Sequence, residues 1–162
     1  MEGPIVPTFE GARDARGLRF AVVVARFNDF VTTRLLAGAR QALAEAGVAA
    51  DDVDVLWVPG AFEVPAAAKA VARLRTPAAV VCLGCVIRGG TPHFEYISSA
   101  TAHGLMTAAL DTGVPMTFGI LTTDSVEQAV ERAGAGPSNK GFEAAQAAVE
   151  LATLLQRLGA TS

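Results

Sequence analysis

Residues 89–96 read GGTPHFEY, a mixture of types that suits a small anionic ligand. Glycine opens backbone conformations that other residues resist, threonine adds a hydroxyl, and histidine changes charge closest to neutral pH. Gly89, Gly90 and Thr91 stand just before a stretch with helical spacing. There the first backbone N–H groups lack intrahelical partners and the helix dipole favours an anion. The segment reads as a phosphate cradle, with a plain tight turn as the competing reading. His93 falls in this loop or first turn and is a candidate for proton transfer, whereas His103 lies mid-helix without such a setting. Arg88, Arg132 and Lys140 are candidates for the opposite wall of an anion site, although spacing alone favours none of them.

Three further segments carry similar chemistry: RFND after residue 25, PGAFEVP after residue 58 and TTDS after residue 121. Phe27, Phe62 and Phe94 all fall in such segments, where they offer flat faces to a planar ligand or else close the end of the core. Glu63 can accept hydrogen bonds from ligand hydroxyls, or simply favour the dipole of the helix that starts beside it.

Two other patterns carry less than they suggest. Cys82 and Cys85 form a Cys-x-x-Cys spacing, but inside a strand-like run, where residues three apart point to opposite faces and cannot readily pair. They read as small buried hydrophobes. GAGPSNKG lacks the glycine that a P-loop places before its lysine, and it follows a helix rather than a strand. With two histidines and no paired Cys-His spacing, no zinc site is expected.

What must position these residues is an alternation of strand-like and helical stretches, the pattern of parallel strands joined by crossover helices. Strands are expected over residues 18–25, 54–58, 78–87 and 115–121. Helices are expected over residues 31–46, 64–74 and 93–110. A short helix to residue 132 is opened by Asp124 as N-cap with Glu127 three residues on, and a last helix spans residues 140–158 with a stripe of Phe142, Ala145, Val149, Ala152 and Leu155. In such sheets ligands bind beyond the carboxyl ends of the strands, where all the segments above fall. Residues 1–17, with Pro4 and Pro7, read as an extended arm whose Ile5, Val6 and Phe9 need cover, and residues 18–162 as one domain.

Composition narrows the class. A 162-residue chain is about one domain long and needs no disulfide or metal staple. A net charge of −3 without a dense basic run argues against nucleic acid as partner. No apolar run reaches the ~20 residues of a membrane helix, and residues 1–17 are charged throughout, unlike a signal peptide, so a cytoplasmic protein is expected. Hydrophobic residues make up 51% of the chain against 18% charged, an excess that oligomer interfaces normally hide, so a homo-oligomer is expected.

Taken in order, RFND, PGAFEVP, GCVIRGGTPHFEY, FGILTTDSVEQAVERAG and NKG resemble the lumazine synthase family, the penultimate enzymes of riboflavin biosynthesis, from about residue 18 to the C-terminus. The resemblance implies a flavodoxin-like three-layer α/β/α sandwich around a mainly parallel four-stranded sheet. It implies a transferase that condenses 5-amino-6-(D-ribitylamino)uracil with 3,4-dihydroxy-2-butanone 4-phosphate, giving 6,7-dimethyl-8-ribityllumazine, phosphate and water, with no metal or other cofactor. By motif position, Phe27 would stack on the pyrimidine. Ala61, Phe62 and Glu63 would meet the ring and ribityl chain, with Cys85, Val86 and Ile87 lining the same pocket. Gly90, Thr91 and Arg132 would bind phosphate with help from Lys140, His93 would transfer protons, and Phe118 would reach in across a subunit boundary. The family further implies pentamers, sometimes twelve of them in a hollow 60-subunit shell, with riboflavin synthase as an associate. Cys85 and Gly90 depart from the threonine and alanine common at those positions, where contact is expected through backbone. A binding-only relative would have dropped His93, Thr91 or Arg132, and a generic flavodoxin-like domain has no need of TPHFEY and Arg132 together.

Overall fold

The computed structural model describes residues 6–159. Pro4 and Ile5 of the arm, and residues 160–162, lie outside the described residues. Four strands, β1 (Phe20–Ala25), β2 (Val53–Val58), β3 (Ala79–Ile87) and β4 (Met116–Thr123), form one sheet in the order β2-β1-β3-β4, and every pairing is parallel. Five α-helices connect and flank them: α1 (Asp29–Glu45), α2 (Val64–Arg75), α3 (His93–Thr112), α4 (Val126–Arg132) and α5 (Lys140–Gly159). The protein is thus an α/β sandwich of the flavodoxin-like kind.

Both sheet faces are covered, which explains the near-continuous aliphatic runs of the central strands. Phe20, Val22 and Val24 of β1 join Val81 and Leu83 of β3 in a core shared with α1 and α5. The alternate residues Ala21, Val23, Val80 and Cys82 face α2 and α3. The period-two alternation of strand side chains therefore sends Cys82 into one core and Cys85 into the other. Burial raises both thiols, Cys85 up to about 11, which disfavours the thiolate form at neutral pH.

The expected strands and helices are all present, with shifts at their ends. β4 runs two residues further than its apolar pattern, through Thr122 and Thr123, because these β-branched residues pair with Val86 and Ile87 of β3. The cap of α4 is Ser125 rather than Asp124. Ser125 Oγ accepts from Gln128 N at 3.2 Å, while Asp124 offers its own N–H to Gln128 Oε1 at 2.8 Å. A serine three residues before a glutamine matches a capping arrangement as well as the Asp124–Glu127 pair does. Leu155 leaves the buried stripe of α5 and lies exposed with Leu151 and Leu158 on the outer surface of that helix.

The arm is partly fastened. Thr153 Oγ1 accepts from Ala12 N at 2.7 Å and donates to Ala12 O at 3.2 Å, and Ala15 is buried. Val6 and Phe9 remain exposed on this chain.

Candidate active site

At the carboxyl edge of the sheet, hydrogen bonds continue the strand order into the loops. Arg26 N donates to Val58 O at 2.7 Å and Phe27 N to Pro59 O at 2.9 Å, joining the tips of β1 and β2. Asn28 Nδ2 donates to Cys85 O at 2.9 Å, bridging β1 to β3. Arg88 N donates to Thr123 O at 2.8 Å, bridging β3 to β4. From below, Thr101 Oγ1 of α3 donates to Ala61 O at 3.3 Å. The β1–β3 junction is where the strand order reverses direction, the crevice at which open α/β sheets bind ligands.

Asn28 reaches Cys85 from a left-handed backbone conformation, φ 64° and ψ 45°, which asparagine tolerates better than most side chains. That turn starts α1 at Asp29 and leaves Phe27 outside the core, 72% exposed. Phe62 sits in a short 3-10 turn (Ala61–Glu63) and is 60% exposed, while Ala61 is buried against the α2–α3 core. Phe27 and Phe62 therefore do not seal the end of the core. Phe94 is different: it is half-buried, with the Arg88 guanidinium 4.5 Å from its ring centre.

The Gly-Gly-Thr segment leads into α3 as its composition suggests. His93 is the first residue of that helix and stands exposed beside the loop, with its backbone N–H 3.5 Å from Thr91 Oγ1. A side chain built on Gly89 or Gly90 would meet nothing within 4 Å, so the loop is open rather than packed. Val86 and Ile87 are half-buried on opposite sides of β3. The Cys85 side chain is turned into the core, which leaves its backbone as the part at the strand end.

Among the three cations, surroundings discriminate where spacing could not. Arg88 is ion-paired to both Glu95 and Asp124, the latter at 2.8 Å; these bonds raise the guanidinium and hold the Glu95 carboxyl below its usual range. It clasps the loop and has little charge left for a ligand. Lys140 is shared with Glu143 at 2.9 Å. Arg132 makes no ion pair among the described residues.

Arg132 and Lys140 do not sit at the strand tips. With Phe118, which is 49% exposed, they line an open cleft of about 450 Å³ along the outer edge of β4 and the start of α5. Among the described residues, none of Phe27, Phe62, Glu63, Gly90, Thr91 or His93 lines that cleft. Within one chain the candidates thus form two groups, one across the tips of β1, β2 and β3 and one on the free edge of β4. Sequence reasoning passed over Asn28, Thr101 and Asn139, whose amide or hydroxyl groups hold these groups in place. For Asn28 and Asn139 the local hint was a polar residue at a turn and at a helix start, whereas Thr101 is buried inside α3.

The protein is thus a parallel α/β sandwich with exposed aromatic rings and a glycine-rich helix entry at its strand tips and, at the β4 edge, an arginine that is unpaired among the described residues. The family model described as 6,7-dimethyl-8-ribityllumazine synthase matches residues 17–156. A protein of Syntrophus aciditrophicus (strain SB) named 6,7-dimethyl-8-ribityllumazine synthase is 52% identical over 149 residues, covering 92% of this chain and 97% of the relative. The chain belongs to the 6,7-dimethyl-8-ribityllumazine synthase family, transferases of riboflavin biosynthesis. The matched span contains every candidate residue of both groups.

Proposed function

We propose that the chain condenses 5-amino-6-(D-ribitylamino)uracil with 3,4-dihydroxy-2-butanone 4-phosphate at a site made from the strand-tip group of one copy and the β4-edge group of another. The observation that carries this reading is the division just described: aromatic rings and a glycine-rich loop at the strand tips, and an open cleft along β4 lined by none of them but by an arginine unpaired among the described residues. A cyclic homo-oligomer of three or more copies joins them head to tail, so that two different faces of one chain meet at every boundary. A pentamer, alone or in a 60-subunit shell, satisfies that requirement. The apolar composition and the exposed Phe9, Phe118, Met106 and Leu110 support such burial. Association with riboflavin synthase and residence in the cytoplasm belong to the same reading. No helix among the described residues is long and apolar enough to cross a membrane.

The chemistry sets the division of labour. The 5-amino nitrogen adds to the ketone carbon, and the carbinolamine loses water to an imine. A proton then leaves carbon as the phosphate departs with the electrons of its C–O bond. The ribitylamino nitrogen closes the ring with loss of a second water. Each step moves protons and one expels an anion. Phe27 would stack on the pyrimidine, with Ala61, Phe62 and Glu63 meeting its ring and ribityl chain and Cys85, Val86 and Ile87 lining the same pocket. Gly90 and Thr91 would offer N–H and hydroxyl donors to the phosphate, completed by Arg132 and Lys140 of the neighbouring copy. His93, beside that loop, would carry protons. Arg132 is the stronger clamp because its charge is undivided, whereas Lys140 is shared with Glu143. Much of the acceleration would come from holding two substrates together, where effective molarities reach ~10⁵ M or more.

Mixing purified protein with both substrates and following lumazine absorbance together with released phosphate tests the reading. Product and phosphate in equal amounts are expected. A folded, oligomeric protein that forms neither would leave only a binding role.

A further inference from the structure

Asn139 is 3% exposed, and all of its amide hydrogen-bonding capacity is used within the fold. Its Nδ2 donates to Arg34 O of α1 at 3.1 Å and to Gly134 O at 2.9 Å. Its Oδ1 accepts from Gly141 N at 2.8 Å and Phe142 N at 3.1 Å, capping α5. Arg132 ends α4, Lys140 begins α5, and the seven residues between them, AGAGPSN, pair with no strand. Two glycines and a proline in so short a span would leave the two cations loosely related without a fastening. Asn139 supplies it at both ends, bonding Gly134 two residues after Arg132 and Gly141 and Phe142 one and two residues after Lys140, and ties the whole to α1 through Arg34.

The contacts around it are built for this. A Cβ on Gly38 of α1 would fall 2.3 Å from Asn139 Oδ1, and one on Gly141 would fall 2.0 Å from Leu35 O. Both positions need glycine so that the loop and the start of α5 can lie against α1. Neither Asn139 nor Gly38 lines the same cleft as Phe118, Lys140 and Arg132, so Asn139 acts on a ligand there only through its neighbours.

We infer that Asn139 is a positioning residue that sets the spacing of Arg132 and Lys140 for the substrate's phosphate. The inference rests on the phosphate role given to those two cations above. A buried amide that did nothing but stabilise the fold would affect both substrates alike when removed. One that spaces the clamp acts on the phosphate-bearing substrate alone.

Two variants separate these outcomes. Asn139→Ser keeps an oxygen to cap α5 but loses both donor bonds. Gly38→Ala keeps Asn139 and pushes its amide from the other side. In each, the KM for the butanone phosphate and the Kd for inorganic phosphate are expected to rise roughly tenfold, while kcat and the KM for the pyrimidine stay within about twofold. In the unaltered protein, inorganic phosphate should slow amide exchange at Gly141 and Phe142, because a tether that favours binding is itself tightened by binding. This measurement needs no variant to fold. Unchanged phosphate affinity in folded variants, equal losses for both substrates, or unchanged exchange at those amides overturns the inference. If the unaltered protein binds phosphate through this tether yet forms no lumazine, the proposed function fails and the tether stands. If it forms lumazine and the variants behave as the parent does, only the tether fails.

Discussion

The strand-tip group and the β4-edge group are held by different means. At the tips, Arg26, Phe27, Asn28 and Arg88 are locked to neighbouring strands by backbone or amide hydrogen bonds, so the loops inherit the rigidity of the sheet. At the edge, Phe118 is on a strand with no partner on its outer side among the described residues. Arg132 and Lys140 flank a glycine-rich loop fastened at one buried amide. The edge presents an exposed aromatic ring and a cation unpaired among the described residues, the half that the proposed shared site takes from a second copy of the chain.

Substitutions can break this contrast at either end. Arg132→Ala should have the largest effect, a loss of kcat/KM of about 10²–10³, since one preorganised donor to a leaving anion is worth that much. It should leave thermal stability unchanged because the side chain is exposed. His93→Ala should cost less, roughly tenfold, as water can reach this exposed position and stand in for part of the proton transfer. Steady-state rates with both substrates rank the two, and a silent histidine variant beside a nearly normal arginine variant would reverse the assignment.

Phe27→Ala sharpens the other half. It should raise the KM for the pyrimidine roughly tenfold through loss of stacking while moving the unfolding free energy by less than about 0.5 kcal/mol. A large stability loss would mean that Phe27 does cover the core. Asn28→Ala tests the rigidity of the tips directly. It loses the bond to Cys85 O and places alanine at positive φ, so urea unfolding should report a loss of about 1–3 kcal/mol.

Much of this arrangement was legible in the chain. Aliphatic runs alternating with helical spacing located every strand and helix, and the Gly-Gly-Thr run before His93 announced a helix entry facing solvent. What escaped has a common cause. Asn139 and Arg34 are 105 positions apart, and their bond leaves no trace in local periodicity. The choice between Asp124 and Ser125 as cap turned on which backbone adopted extended dihedrals, since both have a polar partner three residues on. The placing of Arg132 in the β4-edge cleft was hidden because strand order puts β4 on the outer edge, and order in a sheet is not written in order along the chain.

The smallest expected effect concerns pH. Arg88 holds the Glu95 carboxyl below its usual range, so the pair contributes above the unfolded-state value and is lost as pH falls through the lower folded-state value. Both groups are exposed, so the contribution is slight. Between roughly pH 5 and pH 2 the melting temperature of Glu95→Gln should fall less steeply than that of the unaltered protein.

Co-expression of two crippled chains tests the central claim, that one site is shared between two copies. Arg132→Ala spoils only the edge, and Phe27→Glu puts a carboxylate only at the tips. In mixed oligomers some boundaries pair an intact tip with an intact edge, and random assembly should restore about a quarter of the normal rate. Activity no higher than the sum of the two variants alone would show that each chain carries its whole site, and would contradict the account.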